Sequence, residues 1–234
     1  MRESKTLNLL SGGAAQGLVG QLAPEFLART GCPINGQFGA VGTLKDRLLA
    51  GESCDVIILT QALIEQLTDD GHVLSGTARA LGVVKTGIAV KVGEAQPDVS
   101  TPDALKASLL GAAGIYFPDP VKATAGIHVM KVLKALGIDG QVVERLRPYP
   151  NGAMAMRAMS ESPESGLMGC TQVTEILYTP GVTLVAALPA AFELATVYTA
   201  AVSATASEPA LAADLIALLT ADTSAGIRHT AGFE

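Results

Sequence analysis

Leu7-Asn8-Leu9-Leu10, then Ser11-Gly12-Gly13, then Leu18, Leu22, Phe26 and Leu27 at helical spacing as far as Gly31, is the stretch that decides the fold. Its first four residues are an apolar run broken only by Asn8, the pattern of a strand covered on both faces. A glycine-rich turn follows, helical periodicity begins directly after it, and a glycine closes the helix.

The same cycle recurs. Residues 34–38 read as a strand, Gly39-Ala40-Val41-Gly42-Thr43 as a turn, and 44–49 as a helix closed by Gly51. A third round runs from Val56-Ile57-Ile58-Leu59 through Thr60 into a helix around Leu63, Ile64 and Leu67 that ends at Gly71. Strands alternating with helices imply a parallel sheet with right-handed crossovers. Residues 80–92 form a strand pattern long enough to pass from one lobe to another, and a second α/β set follows. Thr101-Pro102-Asp103 caps a helix, Gly114-Ile115-Tyr116-Phe117 is a strand, 119–124 is a polar loop, and 127–136 is a helix closed by Gly137. Residues 165–168 read as a buried strand, Cys170-Thr171-Gln172 leads into a short helix, and 182–188 and 197–202 are the last strands. Leu211, Leu215, Leu218 and Leu219 mark a helix that returns to cover the first sheet. The expected architecture is α/β with two lobes, 1–82 with 193–234 and 83–192. Each lobe is a mostly parallel sheet flanked by helices, with the ligand cleft between them.

Composition narrows the partners. With 22 acidic against 16 basic residues the net charge is −6, and no basic run has the density of a nucleic-acid patch. Trp is absent and aromatics are 4%, so stacking platforms for sugars or bases are poorly supplied. The alanine-rich stretch 183–206 is interrupted by Pro189 and Glu193, so membrane insertion is not expected. Cys32, Cys54 and Cys170 show no paired spacing and read as reduced structural thiols. No His/Cys/Asp cluster has metal-ligand spacing, and neither a metal nor a cofactor is expected. The start of the chain lacks a leader pattern. The chain reads as cytoplasmic if Met1 is the true start, and as periplasmic if a signal peptide has been removed.

In open α/β sheets ligands bind beyond the carboxyl ends of the strands. Those ends hold Ser11, Gly12, Gly13 and Ala14, whose amides suit a carboxylate but which equally read as a tight turn. They hold Val41, Gly42 and Thr43, where Thr43 either caps its helix or faces a ligand. In the second set Lys122, Thr124 and Ala125 precede a helix, with Lys122 either neutralising a carboxylate or simply solvated. Asn151, in a turn, and Gln172, at a strand end, are candidate hydrogen-bond donors. His128 and Glu175 are the candidate proton-transfer residues, the bland readings being a packing histidine and a glutamate favourable to a helix dipole.

Phe38-Gly39-Ala40-Val41-Gly42-Thr43-Leu44, Ala50-Gly51 with Cys54-Asp55-Val56-Ile57, Asp119-Pro120 through Thr124-Ala125-Gly126-Ile127, Leu136-Gly137 and Gly232-Phe233 carry a resemblance over essentially the whole chain. In order and spacing they resemble the type II periplasmic solute-binding proteins, in the branch that includes the molybdate-binding protein. The resemblance implies a small anionic ligand and, if the chain is exported, an ABC permease as partner. In that branch two serines and a tyrosine hydrogen-bond the oxyanion. Their positions align here with Ala14, Val41 and Gly169, so a di- or tricarboxylate is expected rather than molybdate. Gln172-Val173-Thr174-Glu175-Ile176-Leu177, Pro180-Gly181-Val182 and Leu188-Pro189 resemble a subgroup whose wider relatives include cofactor-free isomerases of unsaturated carboxylic acids, aconitate isomerase among them. That resemblance implies, as the alternative, proton transfer through His128 or Glu175.

Overall fold

The computed structural model describes residues 5–234. The chain runs β1 (Leu7–Gly12), α1 (Gln16–Thr30), β2 (Ile34–Gly39), α2 (Val41–Leu49), β3 (Val56–Thr60), α3 (Gln61–Asp69) and β4 (Arg79–Lys91). It continues with α4 (Pro102–Gly111), β5 (Gly114–Pro118), α5 (Thr124–Ala135), α6 (Asp139–Val142), β6 (Leu146–Tyr149), α7 (Gly152–Glu161), β7 (Leu167–Gln172) and α8 (Val173–Tyr178). It ends with β8 (Val182–Ala187), β9 (Ala195–Val202), α9 (Pro209–Thr220) and α10 (Ala225–Thr230). Two compact units result: unit 1 takes the described residues up to Val83 together with Thr196–Glu234, and unit 2 is Val84–Ala195.

Unit 1 is the sheet β2-β1-β3-β9, with β1 parallel to β2 and β3 and with β9 antiparallel to β3. Leu7, Leu9, Leu10 and all of Val56-Ile57-Ile58-Leu59 are buried, as expected of strands covered on both sides. Leu18, Leu22 and Phe26 bury one face of α1, and α9 packs against that helix through the buried stripe of Ala212, Leu215 and Leu219. Asp55 ties the unit together. Its carboxylate accepts the Asn8 amide at 2.8 Å, the Ser207 amide at 2.7 Å and hydroxyl at 2.9 Å, and the Glu208 amide at 3.1 Å. From the position just before β3 it thereby caps α9, where no local side chain does so.

Unit 2 is the sheet β6-β5-β7-β4-β8, with β5 parallel to β6 and β7 and with β4 antiparallel to β7 and β8. Alternation along the strands sorts its two cores. Ile115, Phe117, Met168, Cys170 and Ile88 face α4, α5 and α6 through Leu105, Val129, Leu133 and Val142. Tyr116, Leu167 and Ala89 face α7 and α8 through Met156, Met159 and Ile176. Thr101 caps α4 as its spacing implies, accepting the Ala104 amide at 3.1 Å.

Several expected elements shift. The strand expected at 165–168 is β7, which continues to Gln172 with every residue buried. Gly169 therefore lies inside β7, where a side chain would begin 2.4 Å from the Met156 methyl carbon, and so it occupies packed interior instead of a ligand-facing position. β6 and α7 occupy what read as a simple turn around Asn151-Gly152. Among the described residues no single helix is long and apolar enough to cross a membrane.

Candidate functional site

In unit 1 the ends of β1 and β2 are adjacent, with Gly12 opposite Gly39. The turn after β1 is a 3-10 turn at Gly13–Ala15 that leads straight into α1. Gly12 has φ −53° and ψ 143°, a conformation open to any residue. The glycine is required by close approach instead: a Cβ there would sit 2.8 Å from Val41 Cγ1 and 3.1 Å from Tyr198 Cε1. Ser11 is fully buried, and its hydroxyl donates to the Gly12 carbonyl at 2.9 Å. Ala14 and Val41 are buried as well.

α2 begins at Val41, three residues before the expected helix, which puts Val41, Gly42 and Thr43 in its first turn. Thr43 is therefore an exposed third residue of the helix and not its cap; Ala40 holds the cap position, and no side chain caps α2. Thr60 precedes α3 in the same manner, again without a side-chain cap bond. Unit 1 thus presents helix starts without side-chain caps, α2 opening with Val41-Gly42-Thr43 and α1 and α3 with Gln16 and Gln61, so that the cap-position donors are backbone amides.

In unit 2 the ends of β5 and β6 are adjacent, with Pro118 opposite Tyr149, and the Tyr116 and Tyr149 rings stack with centroids 5.8 Å apart. Asp119 shapes the loop that follows β5: its Oδ1 accepts the Val121 amide at 2.7 Å and the Lys122 amide at 2.8 Å. Lys122 is exposed, and Thr124 and Ala125 form the first turn of α5, which no side chain caps. His128, in the next turn, is half-buried and places Nε2 2.7 Å from the Phe192 carbonyl oxygen. A carbonyl only accepts, so Nε2 carries the proton and Nδ1 is the nitrogen left to receive one.

Asn151 is the N-cap of α7, its Oδ1 accepting the Met154 amide at 2.9 Å. Glu175 meets the same helix end. Its carboxylate accepts the Thr171 hydroxyl at 2.5 Å and the amides of Gly152, Ala153 and Gln172. Burial pushes the Glu175 carboxyl above its ordinary value, and the four donors pull back only partly. Gln172 is buried and ends β7 directly beside this group.

The structure thus gathers Ser11, Gly12, Gly13, Ala14, Val41, Gly42 and Thr43 in unit 1, and Asn151, Gln172 and Glu175 in unit 2 with the start of α5 at a neighbouring strand end. His128 is directed instead to the segment around Phe192. Two residues escaped the sequence reading. Thr86, opposite Gln172 in the β4–β7 ladder, and Thr174, two residues beyond it, are buried with hydroxyls that make no hydrogen bond within the protein. Such a group costs about 1–3 kcal/mol, which makes it a marker of unmet donor capacity. Thr86 had the weak signal of a polar residue inside an apolar strand.

Burial pushes the Cys54 and Cys170 thiols up to about 12, so neither is poised as a nucleophile. Among the described residues no three His, Cys, Asp or Glu side chains are placed to hold a metal ion. A groove of about 430 Å³ lies at the opposite end of the unit 1 sheet, lined by Leu48, Glu52, Ser53, His72 and Thr205 among others. Its one carboxylate, Glu52, is already bound by Gln37 at 2.7 Å and Arg47 at 2.5 Å.

A family model for bacterial extracellular solute-binding proteins matches residues 7–234. The chain belongs to that family. This solute-binding protein is 24% identical over 240 positions to an aconitate isomerase from a Pseudomonas species, covering 98% of this chain and 87% of the relative. Among solved structures it is similar to the periplasmic molybdate-binding protein of Azotobacter vinelandii, with a TM-score of 0.79, 19% identity and coverage of 97% and 98%. It is also similar to the sulfate-binding protein SubI of Mycobacterium tuberculosis H37Rv, with a TM-score of 0.75, 16% identity and coverage of 98% and 86%. A tungstate ABC transporter structure from Geobacter sulfurreducens matches with a TM-score of 0.69 at 16% identity over 96% and 97% of the two chains. At these identities the likeness establishes the fold: type II periplasmic-binding-protein-like, α/β throughout.

Proposed function

We propose that this solute-binding protein takes up a small organic anion bearing two or three carboxylates, received mainly by backbone amides at the strand-end turns. The carrying observation is the donor set. The Ser11 hydroxyl is engaged with the Gly12 carbonyl, Ala14 and Val41 offer no side-chain donor, and α2, α3 and α5 begin without side-chain caps. Helix-start amides and dipoles favour a bound anion of either kind; what weighs against molybdate is that the serine and tyrosine hydroxyls of the molybdate-binding branch align with Ala14, Val41 and Gly169. Lys122, Asn151 and Gln172 are the polar side chains assigned to the ligand, and the buried hydroxyls of Thr86 and Thr174 add donor capacity beside Gln172. If the protein is exported, an ABC permease would receive the ligand from it.

The test is a thermal-shift screen of the purified protein against small carboxylates and inorganic oxyanions. A ligand at a hundredfold excess over its dissociation constant stabilises by about 2.7 kcal/mol, which is readily seen. Upward shifts confined to carboxylates are expected; shifts with molybdate or sulfate alone would sink the proposal.

A second reading, favoured by the similarity to an aconitate isomerase, is cofactor-free isomerisation. In it His128 Nδ1, the ring nitrogen not bonded to the Phe192 carbonyl, removes an allylic proton from an unsaturated carboxylate and returns it elsewhere. Helix-start amides stabilise the dienolate charge. Glu175 serves only by releasing one of its four donors. Proton NMR of cis- and trans-aconitate in deuterium oxide reads this out: interconversion with deuterium uptake supports turnover, and unchanged spectra leave binding alone.

A further inference from the structure

Resting on that reading of the chain as an anion-binding protein, we infer that Glu175 is a resident anion at the start of α7, and that it sets ligand choice by keeping the α7 amides from tetrahedral oxyanions. A helix leaves about four amides open at its start. In α7 three of them are already taken within unit 2: Gly152 and Ala153 donate to Glu175, and Met154 donates to Asn151 at 2.9 Å. The Thr171 hydroxyl and the Gln172 amide complete the carboxylate, whose roughly four acceptor positions are thereby filled.

Nothing fits between the helix start and this carboxylate. A Cβ on Gly152 would lie 2.0 Å from both Glu175 Oε2 and Thr171 Oγ1, so the glycine exists to let the acid close on the helix. Glu175 itself is only 5% exposed. The other long helix in unit 2 that starts at a parallel strand end, α5, has no side-chain cap at all. One helix start therefore carries no side-chain cap, with the Pro118–Asp119 backbone packed against its Gly126, and its neighbour is filled by the protein's own negative charge.

Two consequences follow for a ligand. The filled start offers it few amides, and the charge there opposes any anionic oxygen set against it while cancelling the favourable end of the α7 dipole; a di- or tricarboxylate escapes this by holding its charges on separate groups that can be turned away from Glu175. A tetrahedral oxyanion carries charge on oxygens pointing every way and loses most by this. A carboxylate group presents its two oxygens on one side, to α5, and leaves the rest of the ligand to meet the Glu175 side.

Isothermal titration with sodium sulfate and sodium molybdate tests the inference on the wild-type protein, Glu175→Gln and Glu175→Asp, with circular dichroism confirming that each is folded. Glu175→Gln removes the charge and leaves a single carbonyl oxygen for two helix amides. It is expected to bind both oxyanions at least about tenfold more tightly than wild type. Glu175→Asp keeps the charge and is expected to behave as wild type, which a purely structural role for Glu175 does not require. A folded Glu175→Gln protein without that gain, or an equal gain in Glu175→Asp, overturns the inference. Should Glu175→Gln not fold, the wild-type titration decides: sulfate bound as tightly as carboxylates overturns it, and sulfate refused where a carboxylate binds upholds it. A wild-type protein that takes neither sulfate nor any carboxylate defeats the anion-binding reading, while the Glu175→Gln gain is still scored separately.

Discussion

Asp55 in unit 1 and Glu175 in unit 2 are both buried carboxylates, both accept four donors, and both anchor the start of a helix remote in sequence, yet their proton affinities move in opposite directions. For each, burial is the largest influence and raises the pKa. Around Asp55 the amides of Asn8, Glu208 and Ser207 and the Ser207 hydroxyl together overcome it, and the acid stays below its ordinary value. Around Glu175 the Thr171 hydroxyl and the amides of Gly152, Ala153 and Gln172 do not outweigh the desolvation, although both acids are shut off from solvent. Donor number alone does not settle ionisation; the balance between the desolvation each carboxylate suffers and the strength of its donors does. Asp55 sits at the end of the sheet away from the strand-end turns and serves stability. Glu175 sits beside the candidate site, where a strained charge is more readily tolerated for the sake of function.

The sharpest way to break this contrast is to neutralise each acid. Asp55→Asn is expected to destabilise by about 3 kcal/mol in urea unfolding, because charge-assisted bonds are lost and an amide group is forced against donors. Glu175→Gln is expected to cost about 1 kcal/mol or less, since relief of desolvation offsets the lost bonds. Equal costs would mean that the two acids are stabilised alike.

Two glycines probe the same contrast from the backbone side. Gly152→Ala drives a methyl into Glu175 and Thr171 and is expected to destabilise by about 2–3 kcal/mol. Gly12→Ala meets the side chains of Val41 and Tyr198 at longer range and should cost about 1 kcal/mol. Thermal unfolding of the two variants decides it, and a larger loss at Gly12 would show that the unit 1 turn is the more rigid.

The smallest effect is in pH dependence. Asp55 has a folded pKa below its ordinary 3.8, so its contribution is present above that value and drains away as pH falls through the lowered folded pKa. Glu175 has a folded pKa above its ordinary 4.5, so its contribution is greatest below 4.5 and is lost as pH rises through the raised folded pKa. Stability profiles in acid should therefore converge for wild type and Asp55→Asn on acidification, while wild type gains on Glu175→Gln. Slopes of one sign for both pairs would overturn the assignment.

How far these features were legible in the sequence varies by element. β1, α1, β3 and α3 were plain, because apolar runs and helical stripes mark them and Gly31 ends α1 at a φ of 69°, whereas α2 starts three residues ahead of its expected start. β6 and α7 were not. β6 has four residues including a proline, and the Ala-Met-Ala-Met stretch of α7 blurs the helical period, so that only Asn151 hinted at a start. β7 was cut short because Gly169, Thr171 and Gln172 look wrong for a buried strand; they fit there because Met156 fills the space over Gly169 and Glu175 receives the Thr171 hydroxyl.

By itself the sequence determined the α/β class, the strand-end turns and the family, since these rest on local periodicity, turn chemistry and the order of short motifs. Only the tertiary structure decided that β9 runs antiparallel beside β3, that Ser11 turns its hydroxyl inward, that Thr86 lies opposite Gln172, and that Glu175 fills the start of α7. Each of these depends on which groups meet across long stretches of chain, and hydrogen bonding and desolvation are set by those meetings rather than by neighbours in sequence.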